Sequence, residues 1–168
     1  MADIRVMGVD TSLRSTGIGI VESVGSKLTP VHRENIKTKQ GTPLSVCLVT
    51  IQKRIAELVE SFKPGAIAIE SVFYAKNVKT AMLLCHARGV VISQCSAMAI
   101  PVFEYEARRV KSAVVGYGNA DKEQIQHMTR AILNIPELPQ NDEADALALA
   151  ITHINSQSRI AQLAPESI

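Results

Sequence analysis

The chain lacks a long apolar run, a zinc-like cysteine spacing, an internal repeat and a low-complexity segment. Its longest uncharged stretch, Gly89 to Phe103, is interrupted by Pro101 and is too short to span a bilayer, which argues against a membrane protein. The three cysteines, Cys47, Cys85 and Cys95, are too few and too scattered for a metal knuckle or a disulfide framework. With no signal-peptide pattern ahead of them they read as reduced, buried thiols in a cytoplasmic protein. His32, His86, His127 and His153 share no ligand spacing. The net charge of +2 is too small to announce a nucleic-acid partner by itself.

What is present fits one globular domain: 168 residues, 46% hydrophobic and 20% charged, enough for a substantial core. The domain is expected over residues 1–155, with 156–168 as a flexible tail. Charge is unevenly spread. Between Ser71 and Lys111, Lys76, Lys79, Arg88, Arg108, Arg109 and Lys111 face only Glu104 and Glu106. A local basic region beside an acidic pocket suits a polyanionic substrate and its metal.

The acidic pocket is read from strand ends. In Val6-Met7-Gly8-Val9-Asp10-Thr11-Ser12 the apolar residues mark a buried strand, and Asp10 falls where it runs out. A carboxylate there is costly unless a positive partner offsets it. Glu70 ends a second apolar run, Ala66-Ile67-Ala68-Ile69. Asp142 and Asp145 open a strong helix-forming segment, and a spacing of three puts them about 60° apart on one face. Glu143 is turned away from that face by its helical phase. Two strand-end acids and two acids of one helix turn would together form an oxygen-rich set suited to a hard divalent ion such as magnesium. Taken singly each has an ordinary role, as a turn residue or a first-turn acid favoured by the helix dipole.

The pattern between these points is α/β. A polar turn over Thr11 to Ser15 leads into a hairpin strand, Thr16 to Val21, whose Gly17 and Gly19 mark a bulge or tight packing. A third strand fits Val31 to Ile36. Thr42-Pro43 reads as a capping hydroxyl and first-turn proline before an amphipathic helix from Leu44 to Phe62. After the strand ending at Glu70 come a helix over Val78 to Ala97, a strand over Pro101 to Tyr105, and helices near Glu106 to Val114, Asp121 to Ile132 and Asp142 to Asn155. Asp121 and Asn141 are candidate caps for the last two. The crossover helix before the fourth strand implies parallel pairing, hence a mixed five-stranded sheet flanked by helices.

With these residues placed, the order matches the RNase H-like fold. Glu70-Ser-Val-Phe73-Tyr-Ala-Lys76-Asn77, Ala87-Arg88-Gly89, Pro101-Val-Phe103-Glu104-Tyr105, Val115-Gly116-Tyr-Gly118 and Asp142-Glu-Ala-Asp145-Ala-Leu-Ala resemble the RuvC-type Holliday junction resolvases, essentially end to end. The resemblance implies a homodimeric, metal-dependent endodeoxyribonuclease of the bacterial cytosol. It would cut four-way DNA junctions by paired symmetric nicks in recombination and repair, leaving 5′-phosphate ends. It puts the metal ligands on Asp10, Glu70, Asp142 and Asp145, holding two Mg²⁺ ions, with Mn²⁺ as a substitute. Part of the family has histidine at the Asp142 position; this chain is all-carboxylate. The functional lysines fall on Lys111 and Lys122, and the aromatic residue that approaches unpaired bases falls on Phe73. The family also works beside the branch-migration proteins RuvA and RuvB.

The expected chemistry is two-metal phosphodiester hydrolysis. Asp10 is the expected bridging ligand, Glu70 and Asp145 each hold one side, and Asp142 completes the site or orients water. Lys111 and Lys122 contact phosphates or offset charge in the transition state. Tyr74 is a second stacking candidate, and Lys76 and Lys79 are candidate phosphate grips. Two rival readings fit less well. A phosphotransferase of the actin and sugar-kinase type needs a second such unit, for which the chain has no room. A junction-binding module without catalysis has no use for four converging acids.

Overall fold

The computed structural model describes residues 3–72, 78–157 and 166–168. Five strands and five helices follow in the order β1 (Ile4–Asp10), β2 (Ser15–Val24), β3 (Lys27–Lys37), α1 (Leu44–Phe62), β4 (Ala66–Glu70), α2 (Val78–Ala97), β5 (Val102–Tyr105), α3 (Ala107–Val115), α4 (Lys122–Leu133) and α5 (Asn141–Gln157). The sheet order is β3-β2-β1-β4-β5. The β1–β2 and β2–β3 pairs are antiparallel, and β1–β4 and β4–β5 are parallel. This is the expected mixed five-stranded sheet. The parallel pairs need crossovers, which α1 and α2 supply.

Strand alternation divides the core in two. Val6, Val21, Ala66, Ala68 and Tyr105 point to one face, where α3, α4 and α5 pack. Met7, Val9, Ile18, Ile20, Ile67 and Ile69 point to the other, against α1 and α2. Asp10 and Glu70 continue the first alternation, so both strand-end acids lie on the α5 side.

On that side α5 sits on glycine. A Cβ at Gly8 would lie 1.8 Å from the Ala146 carbonyl oxygen, and one at Gly19 would lie 2.5 Å from the Leu147 amide nitrogen. A Cβ at Gly17 would meet the Asp142 carbonyl oxygen at 2.0 Å. Gly8 and Gly19 are cross-strand partners and Gly17 pairs with Asp10, so the glycines form one bare patch. The tight-packing reading of Gly17 and Gly19 holds.

Several local expectations are corrected. Pro43 occupies the N-cap position of α1, without a side-chain cap bond, so Thr42 is not the cap. Asn141 is the first residue of α5 rather than its cap; the Gln140 amide ahead of it donates to Glu143 Oε2 at 3.1 Å. Asp121 caps α4 as expected, in a reciprocal box with Gln124. Strand β3 is longer than its apolar core because it is an outer strand whose exposed side takes charged residues. It carries Pro30, and the register shifts between Ile20 and Val21 opposite it. Helix α5 runs on to Gln157 with Ser156 buried, so the chain is helical two residues into the expected tail. The amide of Ile168 donates to the Val102 carbonyl at 2.9 Å. All three cysteines are free, but Cys85 is exposed because it lies on the outer side of α2. Among the described residues no helix is long and apolar enough to cross a membrane.

Candidate active site

Strands β1 and β4 are parallel neighbours, with Val9 beside Ile69, so their last residues Asp10 and Glu70 emerge together at one sheet end. Helix α5 crosses the same face and brings Asp145 to them. A cavity of about 310 Å³ opens there, lined by Asp10, Glu70 and Asp145 with Lys111 from α3 and Lys122 from the start of α4. Ala107, Val110, Ile125 and Leu149 form its apolar wall. Five of the six predicted catalytic positions therefore share one pocket.

The sixth, Asp142, does not line the cavity. Its carboxylate Oδ2 accepts a hydrogen bond from Ser15 Oγ at 2.5 Å. Its charge is still felt in the cluster, as one of the causes that raise both Asp10 and Asp145. Glu143, as its helical phase required, is elsewhere: it meets Arg33 of β3 at 3.2 Å.

The acids are strained electrostatically. Burial pushes the Asp10 carboxyl up to about 8, and Asp145, Glu70 and Asp142 add repulsion that Lys122 only partly offsets. Burial also raises Glu70 and then Asp145 adds to it, against Lys111 and Lys122. Asp145 is raised first by burial, with Lys122 the largest opposing influence. Among the described residues no three His, Cys, Asp or Glu side chains are gathered tightly enough to cage an ion by themselves. The donor set nevertheless fits a hard cation. It is all oxygen, partly desolvated and short of positive charge.

Two supports escape the sequence reading. Arg88 counts with the basic surface by sequence, yet it is 8% exposed. Its guanidinium donates to the Glu70 carbonyl at 2.5 Å and pairs with Glu104, tying α2 and β5 to the end of β4. Ser15 reads by sequence as one more residue of a polar turn. No local pattern signals either contact, because their partners lie 18 and 127 residues away. Lys79 is exposed on the first turn of α2 and does not line the pocket. Phe73, Tyr74 and Lys76 lie outside the described residues.

The family described as Crossover junction endodeoxyribonuclease RuvC matches residues 6–153. A protein of that name from Geobacter sulfurreducens is 42% identical over 153 residues, covering 91% of this chain and 93% of its own. One from Klebsiella pneumoniae subsp. pneumoniae is 44% identical over 158 residues, covering 94% and 91%. Among solved structures, Thermus thermophilus RuvC in complex with Holliday junction substrate superposes with a TM-score of 0.90 at 31% identity, covering 98% of this chain and 99% of that one. The yeast mitochondrial Holliday junction resolvase Ydc2, at 13% identity and a TM-score of 0.64, shares the fold.

Proposed function

The chain belongs to the RuvC family of crossover junction endodeoxyribonucleases, and from that membership we propose that it resolves four-way DNA junctions by paired symmetric nicks, as a magnesium-dependent homodimer of the bacterial cytosol. The observation that carries the reading is the pocket in which Asp10, Glu70 and Asp145 face Lys111 and Lys122. It combines an oxygen donor set with cations that suit a phosphate, at the end of a sheet with this fold.

When bound, two magnesium ions supply Lewis acidity for in-line attack of water on the phosphodiester and for departure of the 3′ oxygen, which leaves a 5′-phosphate end. Manganese would suit the same oxygen donors. Asp10, Glu70 and Asp145 would hold the ions, and Asp142 would complete the set. Lys111 and Lys122 draw phosphate oxygens into the cavity and offset the charge that grows on them. The apolar wall of Ala107, Val110, Ile125 and Leu149 limits water and so strengthens each of these interactions. Phe73 and Tyr74 stack on bases opened at the junction centre, and Lys76 and Lys79 hold backbone phosphates.

The outer faces of α1 and α2 support the dimer. Val46, Val49, Val78 and Met82 are exposed there, beside a groove lined by Leu48, Cys85, His86, Gly89 and Val90. Apolar residues left outside a packed helix pair suit a second copy of the same surface. The pairing with RuvA and RuvB rests on family membership.

The deciding experiment is cleavage of a mobile synthetic four-way junction beside a matched linear duplex, with and without magnesium. Paired symmetric nicks in the junction alone, and only with metal, are expected. Equal cutting of both substrates would make the protein a general nuclease. Tight junction binding without cutting, in magnesium or manganese, would make it a binding module.

A further inference from the structure

Asp142 stands apart from the other acids, and the way it is held is specific. It is the second residue of α5, and its backbone rests on Gly17, where a Cβ would lie 2.0 Å from its carbonyl oxygen. Its side chain is held as well. Ser15 Oγ donates to Asp142 Oδ2 at 2.5 Å, bridging the first residue of β2 and the first turn of α5.

Ser15 presents that hydroxyl from the start of a paired strand rather than a loose loop. It is paired with Lys37 of β3. The neighbouring Thr16 hydroxyl donates to the Ser12 carbonyl at 2.5 Å and accepts from the Ser12 amide at 3.3 Å. A carboxylate with its backbone seated and one oxygen engaged has few orientations left. It also stands close enough to Asp10 and Asp145 for its charge to raise both. Outer partners that orient a ligating carboxylate commonly account for a tenfold or greater part of metal affinity.

We propose that Ser15 is a positioning residue, whose hydroxyl fixes the Asp142 carboxylate so that its remaining oxygen meets the divalent ion held with Asp10 and Asp145. The proposal rests on the reading of Asp142 as a metal ligand. Ser15 touches neither substrate nor ion.

The test compares Ser15→Thr, which keeps the hydroxyl, with Ser15→Val, its near isostere without one. Manganese affinity is measured by calorimetry on the intact, DNA-free chain, and the metal concentration for half-maximal junction cleavage is measured beside it. Ser15→Thr is expected to bind like the parent. Ser15→Val is expected to bind manganese roughly tenfold more weakly. Its cleavage demands proportionately more metal and recovers when metal is saturating. In an Asp142→Asn background the Thr and Val variants are expected to be alike, since the orienting bond has lost its purpose. Equal manganese affinity of the Thr and Val variants in the parent background overturns the proposal. So does a full Thr-to-Val difference that persists in the Asp142→Asn background. If Asp142→Asn alone leaves both manganese binding and cleavage unchanged, the ligand assignment itself falls, and the positioning role with it.

Discussion

The same three strands present two unlike faces. Toward α5, β1, β2 and β4 offer Val6, Gly8, Gly17, Gly19, Val21, Ala66 and Ala68. Toward α1 and α2 they offer Met7, Val9, Ile18, Ile20, Ile67 and Ile69. The small face lets the backbone of α5 rest on the sheet. The large face holds α1 and α2 off by whole side chains, as in an ordinary helix–sheet layer. The difference matters for chemistry because aspartate is short. Asp145 shares a pocket with Asp10 and Glu70 because its helix comes so close. The large face makes no such demand, and it leaves apolar residues on its outer side.

Substitutions that fill the small face should have the largest effect. Gly8→Ala puts a methyl group against the Ala146 carbonyl, and α5 must move to accept it. Urea unfolding is expected to show a loss of about 4 kcal/mol or more, with cleavage abolished. Ile20→Val on the large face should cost only about 1 kcal/mol and leave cleavage intact. Equal costs for the two would dissolve the contrast between the faces.

Removing chemistry without moving α5 comes next. Asp10→Asn is expected to lower junction cleavage roughly a thousandfold while junction binding, followed by gel shift, persists. Its thermal midpoint should rise, because the substitution relieves a buried carboxyl crowded by Asp145, Glu70 and Asp142. A fall in midpoint would mean that the acids stabilise the fold.

The outer side of the large face should govern assembly alone. Met82 is 58% exposed. Met82→Glu is expected to weaken self-association by about thirtyfold in sedimentation, without lowering the unfolding free energy of the monomer. Unchanged association would remove α2 from the interface.

The smallest effect separates the two faces by pH. On the small face His153 is fully buried beside Tyr105, its Nδ1 2.7 Å from the phenol oxygen, and burial lowers its pKa to about 4. The unfolded chain takes up this proton near the ordinary value of 6.5 and the folded chain does not. This part of the stability is therefore complete above 6.5 and is lost as pH falls toward 4. On the large face Glu34 is lowered, chiefly by its hydrogen bonds from Arg54 and despite some burial. Its stabilising part is present above 4.5 and goes only as pH falls through its lower folded value. Acid unfolding of His153→Gln should keep the lower window and lose the upper one.

The strand-end acids were legible because burial writes itself as an apolar run and the run stops where the site begins. Asp10 and Glu70 needed only that rule, and Asp145 needed only the helical period; Asp142 shares its helix turn but not its pocket. Gly17 and Gly19 were legible as a place of tight packing, but nothing local says which helix presses on them. Ser15 and Arg88 were not legible, since each acts on a partner that only the fold brings near. Arg88 also misled the charge pattern. A guanidinium buried against Glu70 and Glu104 contributes little to a basic surface. Thr42 carried a capping signature that Pro43 pre-empted, because the fixed φ of proline suits the position just before the first turn.

Strand β3 carries a consequence of another kind. An outer strand of 11 residues would ordinarily be an open template for a neighbour's backbone. Here Pro30 removes one donor, the register shift opposite it spoils a regular ladder, and Lys27 and Lys37 put like charge at the two ends. A second molecule cannot zip along that edge. Growth by adding strand to strand, which has no natural end, is suppressed at the longer of the sheet's two borders. The homodimer proposed above would then have to form through the outer faces of α1 and α2, which can close on themselves after two copies.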